Sequence, residues 1–519
     1  MNRRVRACVF AFVLVFPLLA HAHLGSPDVF FDGLVGPYPA RITIRMPMVV
    51  PGRAEISVQV DAAPPVEVSF LPLYSHTAVT NAPPPDVGRL IRGETNLYSG
   101  ELWLMSSGAY SIEVKIHGAK GEGSVEIPVN SLAIRQLPLP PYLAKILLAL
   151  GALLVFGGLA IVVAAARDSE LAPGVSPGKA ERRKAWVAGA ITALVIVFVL
   201  VGGERWWNSE ETVFRKGLLG AAWPDLEAKV RVDGSQRILD LTLGRKDIEP
   251  DQSVSLIPDH GKLIHFFLIR EGTLDAFGHL HPVRKGGKTF EVALPPLPEG
   301  RYEMLCDLTF QKSGMSFTAT NSVELPPVPT GAGQTNSLEP DPDDSWASYP
   351  ASSVPAAGDT NLVYQLPAGG RVVWKAHAPL RVRQDAGLQF EVWDAAGNPA
   401  ELEPYMGMMS HAAVLRKDGM VFAHLHPSGN YSMAAQGYFQ AKMAHEAAGG
   451  AGSDDSMPAG MDHSKMGHMM HHASTGGTSV ISLPYEFPTA GDYRIWVQFK
   501  TGGQVLTAVF DATVMGPGD

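Results

Sequence analysis

Two stretches of this chain carry imidazoles at a spacing that could do chemistry. Phe422 to Pro427 reads Phe-Ala-His-Leu-His-Pro, and Phe277 to Pro282 reads Phe-Gly-His-Leu-His-Pro. A lone histidine stands upstream of each, His265 after Gly261 and His411 after Gly407. Between the lone His and the His-x-His lie an apolar run, a turn and a second apolar run. Three imidazoles are the ligand set of many metal sites, and a second occurrence marks a duplicated unit.

Whether three such residues can meet depends on strand register. Asp418-Gly419 is a two-residue hairpin signal. With that turn Lys417 faces Met420, Ala413 faces His424, and His411 faces His426. The first copy is one residue longer. A three-residue loop, Gly272 to Leu274, absorbs the difference and sets His265 opposite His281. The two histidines of a His-x-His share one face of a strand, and directly opposed Cβ atoms lie roughly 4.5–5.5 Å apart. The expected metal ligands are therefore His265, His279 and His281 in one copy, and His411, His424 and His426 in the other. The same histidines could instead be hydrogen-bonded core residues. A slip of one residue would turn the lone His to the opposite face.

A third group follows the second motif. Residues 443–472 hold 6 of the 18 methionines and 5 of the 17 histidines, among Gly, Ser and Ala. The densest part contains Met457, Met461, His463, Met466, His468, Met469, Met470, His471 and His472. This composition cannot bury a core and is expected to be disordered. Thioether with imidazole suits copper, Cu(I) above all, and its place beside one trio favours copper there too, with zinc as the alternative. Met406, Met408 and Met409 precede His411 as possible axial ligands or as core.

Positioning these groups falls to a mainly β chain. There are 53 glycines and 41 prolines in 519 residues, well above the roughly one residue in eight of average composition, which favours short strands and many turns. The formal net charge is −9, and no basic tract stands out, so nucleic-acid binding is disfavoured. Residues 1–22 read as a signal peptide: Arg3, Arg4 and Arg6, an apolar core, then Ala20-His21-Ala22 as cleavage site. Cleavage would make His23 the mature N-terminus and leave Cys306 as the remaining cysteine, a small buried hydrophobe in a strand-like run. Spans over 142–166 and 186–203 are long enough to cross a membrane. The loop between them, 167–185, carries Arg167, Lys179, Arg182, Arg183 and Lys184, which places it in the cytoplasm. The signal peptide independently places the flanking domains outside, at a bacterial inner membrane.

The expected organisation is a β-sandwich over 23–135, the helical hairpin, a repeat unit over 225–325, a solvated Pro-rich linker over 326–360, and a second repeat unit over 361–515 interrupted by an insertion at 428–478. Tyr110, Tyr302 and Tyr493 each follow a Gly at the start of a late strand. That points to three extracytoplasmic immunoglobulin-like sandwiches.

The Met/His run of 457–472 looks like the tracts of bacterial periplasmic copper-resistance proteins. His23-Leu-Gly-Ser-Pro, leading into a small β domain, resembles CopC-type and YtkA-like proteins. That resemblance implies that His23 binds Cu(II) through its amine and ring. The family's Asp-x-His pair has no counterpart here, because His76 follows Tyr74-Ser75 and His117 follows Lys115-Ile116. The expected function is copper binding at the membrane for resistance, storage or delivery, with another envelope copper protein as possible partner. No Ser/His/Asp order, paired carboxylates or phosphate loop names a catalytic residue. The alternatives are a zinc or copper enzyme built on a three-histidine site, and an interaction scaffold without metal.

Overall fold

The computed structural model describes residues 27–62, 66–133, 137, 139–172, 174–215, 225–244, 254–328, 338–350, 354, 362–376, 379–450, 479–516 and 518. It is mainly β, with several sheets and two long apolar helices. Residues 1–132 and 224–519 form one compact unit, and residues 133–223 another. The second unit contains the helices Pro141–Asp168 and Lys179–Arg215, both long and apolar enough to cross a membrane.

The first unit holds three pairs of sheets. In the N-terminal pair, strand Gly52–Val60 buries nearly every second residue. Its Ile56 and Val58 share a core with Phe70, Ile112 and Val114 of the facing sheet, the inward alternation of a sandwich. The repeat units are built alike. In the first, His265–Arg270 lies between Ala276–Leu280 and Gly300–Phe310. In the second, Ser410–Arg416 lies between Phe422–Leu425 and Gly491–Thr501.

All three sandwiches share one local device. Gly108, Gly300 and Gly491 adopt φ of 139°, 128° and 138°, a conformation that needs glycine. Two residues on, a tyrosine hydroxyl closes the corner. Tyr302 Oη donates to Pro298 O at 2.9 Å and Tyr493 Oη to Thr489 O at 2.8 Å, while Ser106 N donates to Tyr110 Oη at 3.2 Å.

Ordered elements occur within the expected linker and at the start of the insertion, where the helix runs into the first residues of the stretch 443–472 expected to be disordered. Within the linker, Ser345–Ser348 adds an edge strand beside Ala276–Leu280, and Tyr349 buries its ring while donating to Leu274 O at 2.7 Å. Trp346 and Tyr349 supply the strand-favouring side chains that a Pro-rich reading of the linker overlooks. Within the insertion, Met433–Ala447 is an α-helix. The Ser432 side chain caps it, accepting from Ala435 N at 3.1 Å, and an alanine-rich run sustains it. It docks on the N-terminal domain, where Gln436 Nε2 donates to Glu126 O at 2.7 Å. That domain also abuts the second motif: Asp32 N donates to Ser428 O at 2.9 Å, two residues past His426.

Candidate metal centre

The hairpin registers set up the site. In the first unit Phe266 pairs with Leu280 and Phe267 with His279, the register that sets His265 against His281. In the second, Ala412 pairs with Leu425 and Ala413 with His424, which sets His411 against His426. The ring centroids of His265, His279 and His281 are 5.3, 5.3 and 4.8 Å apart. Those of His411, His424 and His426 are 5.6, 4.9 and 4.5 Å apart. The two trios are near copies.

They also face each other. His424 lies 5.2 Å from His265 and 5.4 Å from His279 between ring centroids, and His279 lies 6.3 Å from His411. The outer polar contacts are reciprocal, a hydrogen bond on one side and a close imidazole–carboxylate approach on the other. His279 Nδ1 reaches across to Gln498 Oε1 at 2.9 Å, and His424 Nδ1 reaches back to Asp307 Oδ2 at 3.3 Å. Gln498 and Asp307 are equivalent, since each pairs with the lone histidine of its own unit. Two like surfaces are thus related by an approximate two-fold axis. Beneath the rings, Phe267, Phe277 and Leu305 of one unit join Ala413, Phe422 and Trp496 of the other in a single core.

The outer hydrogen bonds assign one tautomeric set to the first trio. His279 Nδ1 is engaged by Gln498. His281 Nδ1 lies 3.0 Å from Asp344 Oδ1. His265 Nε2 lies 3.2 Å from the carbonyl oxygen of Asp259. Each acceptor takes the N–H of a neutral imidazole, so the lone pairs remain on His265 Nδ1, His279 Nε2 and His281 Nε2. Donor atoms of these three residues fall within 4.8 Å of one another. His265 Nδ1 and His279 Nε2 approach to 3.1 Å, with no proton to share in that tautomeric set. His281 Nε2 has no hydrogen-bond partner among the described residues. Three nitrogens grouped this closely, each ring tied down through its other nitrogen, form a candidate ligand set of the kind metal-bound histidines present.

Burial keeps the imidazoles neutral, as ligands must be. It pushes the pKa of His265 down to about 3, aided by the neighbouring His424. His279, His281, His411 and His426 are held well below the ordinary value, first by burial and then by neighbouring imidazoles. Burial, with Asp341 nearby, raises Asp344 to about 7. His281, Asp341 and Asp344 also group within bonding reach, but Lys262 Nζ already neutralises Asp341 and sits 3.0 Å from Asp343. These carboxylates are better placed to orient His281 than to hold an ion.

Several site residues were not singled out from the sequence. His260 joins His411 and His426 in a second group of donors within 4.8 Å, with ring centroids 5.5 and 5.0 Å away. His424 stands at its flank. Asp344 comes from the supposed linker, and Gln498 and Asp307 from otherwise unremarkable strands. His23 and the residues from Met457 to His472 lie outside the described residues. Met406 is buried and Met409 packs against the core. Cys306 is fully buried.

The outer partners give a direct test. Gln498→Leu keeps volume but removes the acceptor that orients His279, so metal affinity is expected to fall roughly 10–100-fold. Competition with a chelator measures it, and an unchanged affinity would remove Gln498 from the site.

A family model described as a domain of unknown function (DUF8832) matches residues 367–450 and 460–516, the second repeat unit. No curated protein matches the chain. Among solved structures, the ICAM-5 D1–D4 ectodomain fragment shows 11% identity over 92% of this chain and 84% of that one, with a TM-score of 0.14. A chimeric titin Z1Z2 tandem shows 12% identity over 56% of this chain and 99% of that one, with a TM-score of 0.10. Overlaps this slight carry no argument about fold or function.

Proposed function

We propose that this chain is a membrane-anchored, extracytoplasmic copper-binding protein serving copper resistance, storage or delivery. The observation that carries this reading is the grouping of donor atoms of His265, His279 and His281 within 4.8 Å of one another, with an outer nitrogen of each ring engaged. Copper is favoured over zinc by the thioether and imidazole donors of Met457 to His472. The resemblance of that tract to periplasmic copper-resistance proteins, and of the N-terminal region to CopC-type and YtkA-like proteins, supports the same assignment. In this reading the three sandwiches are immunoglobulin-like, with the tyrosine corner as their shared signature. The signal-like start and the basic loop between the helices hold them on the outer face of an inner membrane.

Metal analysis of the full chain tests this. After exposure to copper and removal of the excess, replacing His265, His279 and His281 by Ala is expected to lower bound copper by one ion per chain. Deleting 457–472 should lower it further. Unchanged copper in the triple variant would sink the reading. A second reading, a metal-dependent enzyme, draws on the same trio, because three protein ligands are also the number at a catalytic zinc. Zinc retained through purification without added metal would favour it.

A further inference from the structure

We infer that the two repeat units close over a pair of metal ions, the second held by His411 and His426 of one unit and His260 of the other. This rests on the metal-binding reading above and extends it to a ligand set drawn from both units. His260 lies in the turn before the first hairpin and has φ of 50°, a left-handed conformation uncommon outside glycine but one that histidine, asparagine and aspartate take more readily than other side chains. That turn, closed by reciprocal hydrogen bonds of 2.8 and 2.9 Å between Asp259 and Lys262, sets the ring 5.5 and 5.0 Å from His411 and His426 and 6.1 Å from His265 of its own hairpin. The His260 side chain is 8% exposed.

The rings it meets lack other partners. Both nitrogens of His411 and both of His426 are buried without a hydrogen-bond partner among the described residues, as are His260 Nε2 and His424 Nε2. An unpaired buried polar atom loses its hydration without recompense, so a cluster this dense is unfavourable unless something binds it. A cation meets that need. Counter-charge is close by: Asp259 Oδ1 lies 3.4 Å from His260 Nε2, and Asp307 Oδ2 lies 3.3 Å from His424 Nδ1. His424 stands beside both donor groups, 5.2 Å from His265 of the first and 4.5 Å from His426 of the second between ring centroids. Two ions held here share one chamber and sense each other.

The test uses the full chain in detergent with His23, Met457, Met461, His463, Met466, His468, Met469, Met470, His471 and His472 replaced by Ser, so that neither the N-terminal histidine nor the tract contributes copper. Loaded with Cu(II) alone and freed of excess, it is expected to hold two ions per chain. Its EPR spectrum should be broadened by their mutual interaction. His260→Asn suits the left-handed turn and removes the imidazole; it should leave one ion with the sharp spectrum of an isolated centre. His426→Gln, on the other unit, should give the same one-ion product, which guards against a folding defect in either variant. Two magnetically independent ions, one ion in the parent, or two coupled ions in His260→Asn would overturn the paired centre. In the one-ion case the metal-binding reading survives if that ion is lost on replacing His265, His279 and His281. No bound copper at all would sink both.

Discussion

Metal-free protein moved from pH 7 to pH 5 is expected to lose most of its stability. His260, His265, His279, His281, His411 and His426 all have folded-state pKa values below the ordinary one, with burial the first cause. Above about pH 6.5 these imidazoles are neutral whether folded or unfolded, and pH has no purchase on them. Below it the unfolded chain takes up protons that the folded chain refuses, so stability is lost as pH falls towards the depressed values. One such group contributes a slope of about 1.4 kcal/mol per pH unit. Six titrating together give at most about 8 kcal/mol per unit, against a total stability of roughly 5–15 kcal/mol. Denaturant titrations at a series of pH values measure this. Equal stability at pH 7 and pH 5 would show that the rings are not held neutral. Saturating copper should flatten the acid limb, because it binds the folded state alone.

The second large effect needs no ligand to be touched. Trp496 is fully buried, stacks on Phe277 of the other unit with centroids 4.9 Å apart, and donates from Nε1 to Tyr349 Oη at 2.7 Å. It therefore ties together the second unit, the first hairpin and the edge strand from the linker. Trp496→Ala is expected to cost about 3–5 kcal/mol and to loosen the face-to-face packing on which His279 and Gln498 depend. Trp496→Phe keeps an aromatic stack and loses the hydrogen bond, about 0.5–1.5 kcal/mol. Denaturation midpoints and bound copper should fall together across this series. Destabilisation of the alanine variant with undiminished copper affinity would separate the site from the packing.

The pairing of the histidines was legible because it depends on local chemistry. Asp418-Gly419 fixes one hairpin, the extra residue at Gly272 to Leu274 fixes the other, and counting outward does the rest. The strand-opening tyrosines were legible for the same reason. What escaped was set by packing between units, which no pattern within one unit encodes. His260 has Met406 as its counterpart in the second copy, so comparing the copies discards it. The one available signal was that each precedes a glycine in the aligned stretch. The two turns match closely, with φ of 50° at both His260 and Met406 and of 81° and 77° at Gly261 and Gly407. Asp344 sits in an acidic run that reads as solvated, and nothing local shows that it faces His281. Helix Met433–Ala447 was hidden by the biased composition around it, although Ser432 and the alanines after it are a start signal.

The approximate two-fold relation between the hairpins has a consequence for how this interface can diversify. Two separate copies of one unit could associate through the same surfaces as a homodimer. Every substitution would then appear on both sides of the axis at once. Covalent fusion lifts that restriction. His260 and Met406 occupy equivalent turns, and Asp307 and Gln498 equivalent strand positions, yet the members of each pair differ in charge and donor character. A tandem chain can tune one half of its centre while leaving the other as it was, a freedom that a symmetric assembly of identical subunits does not have.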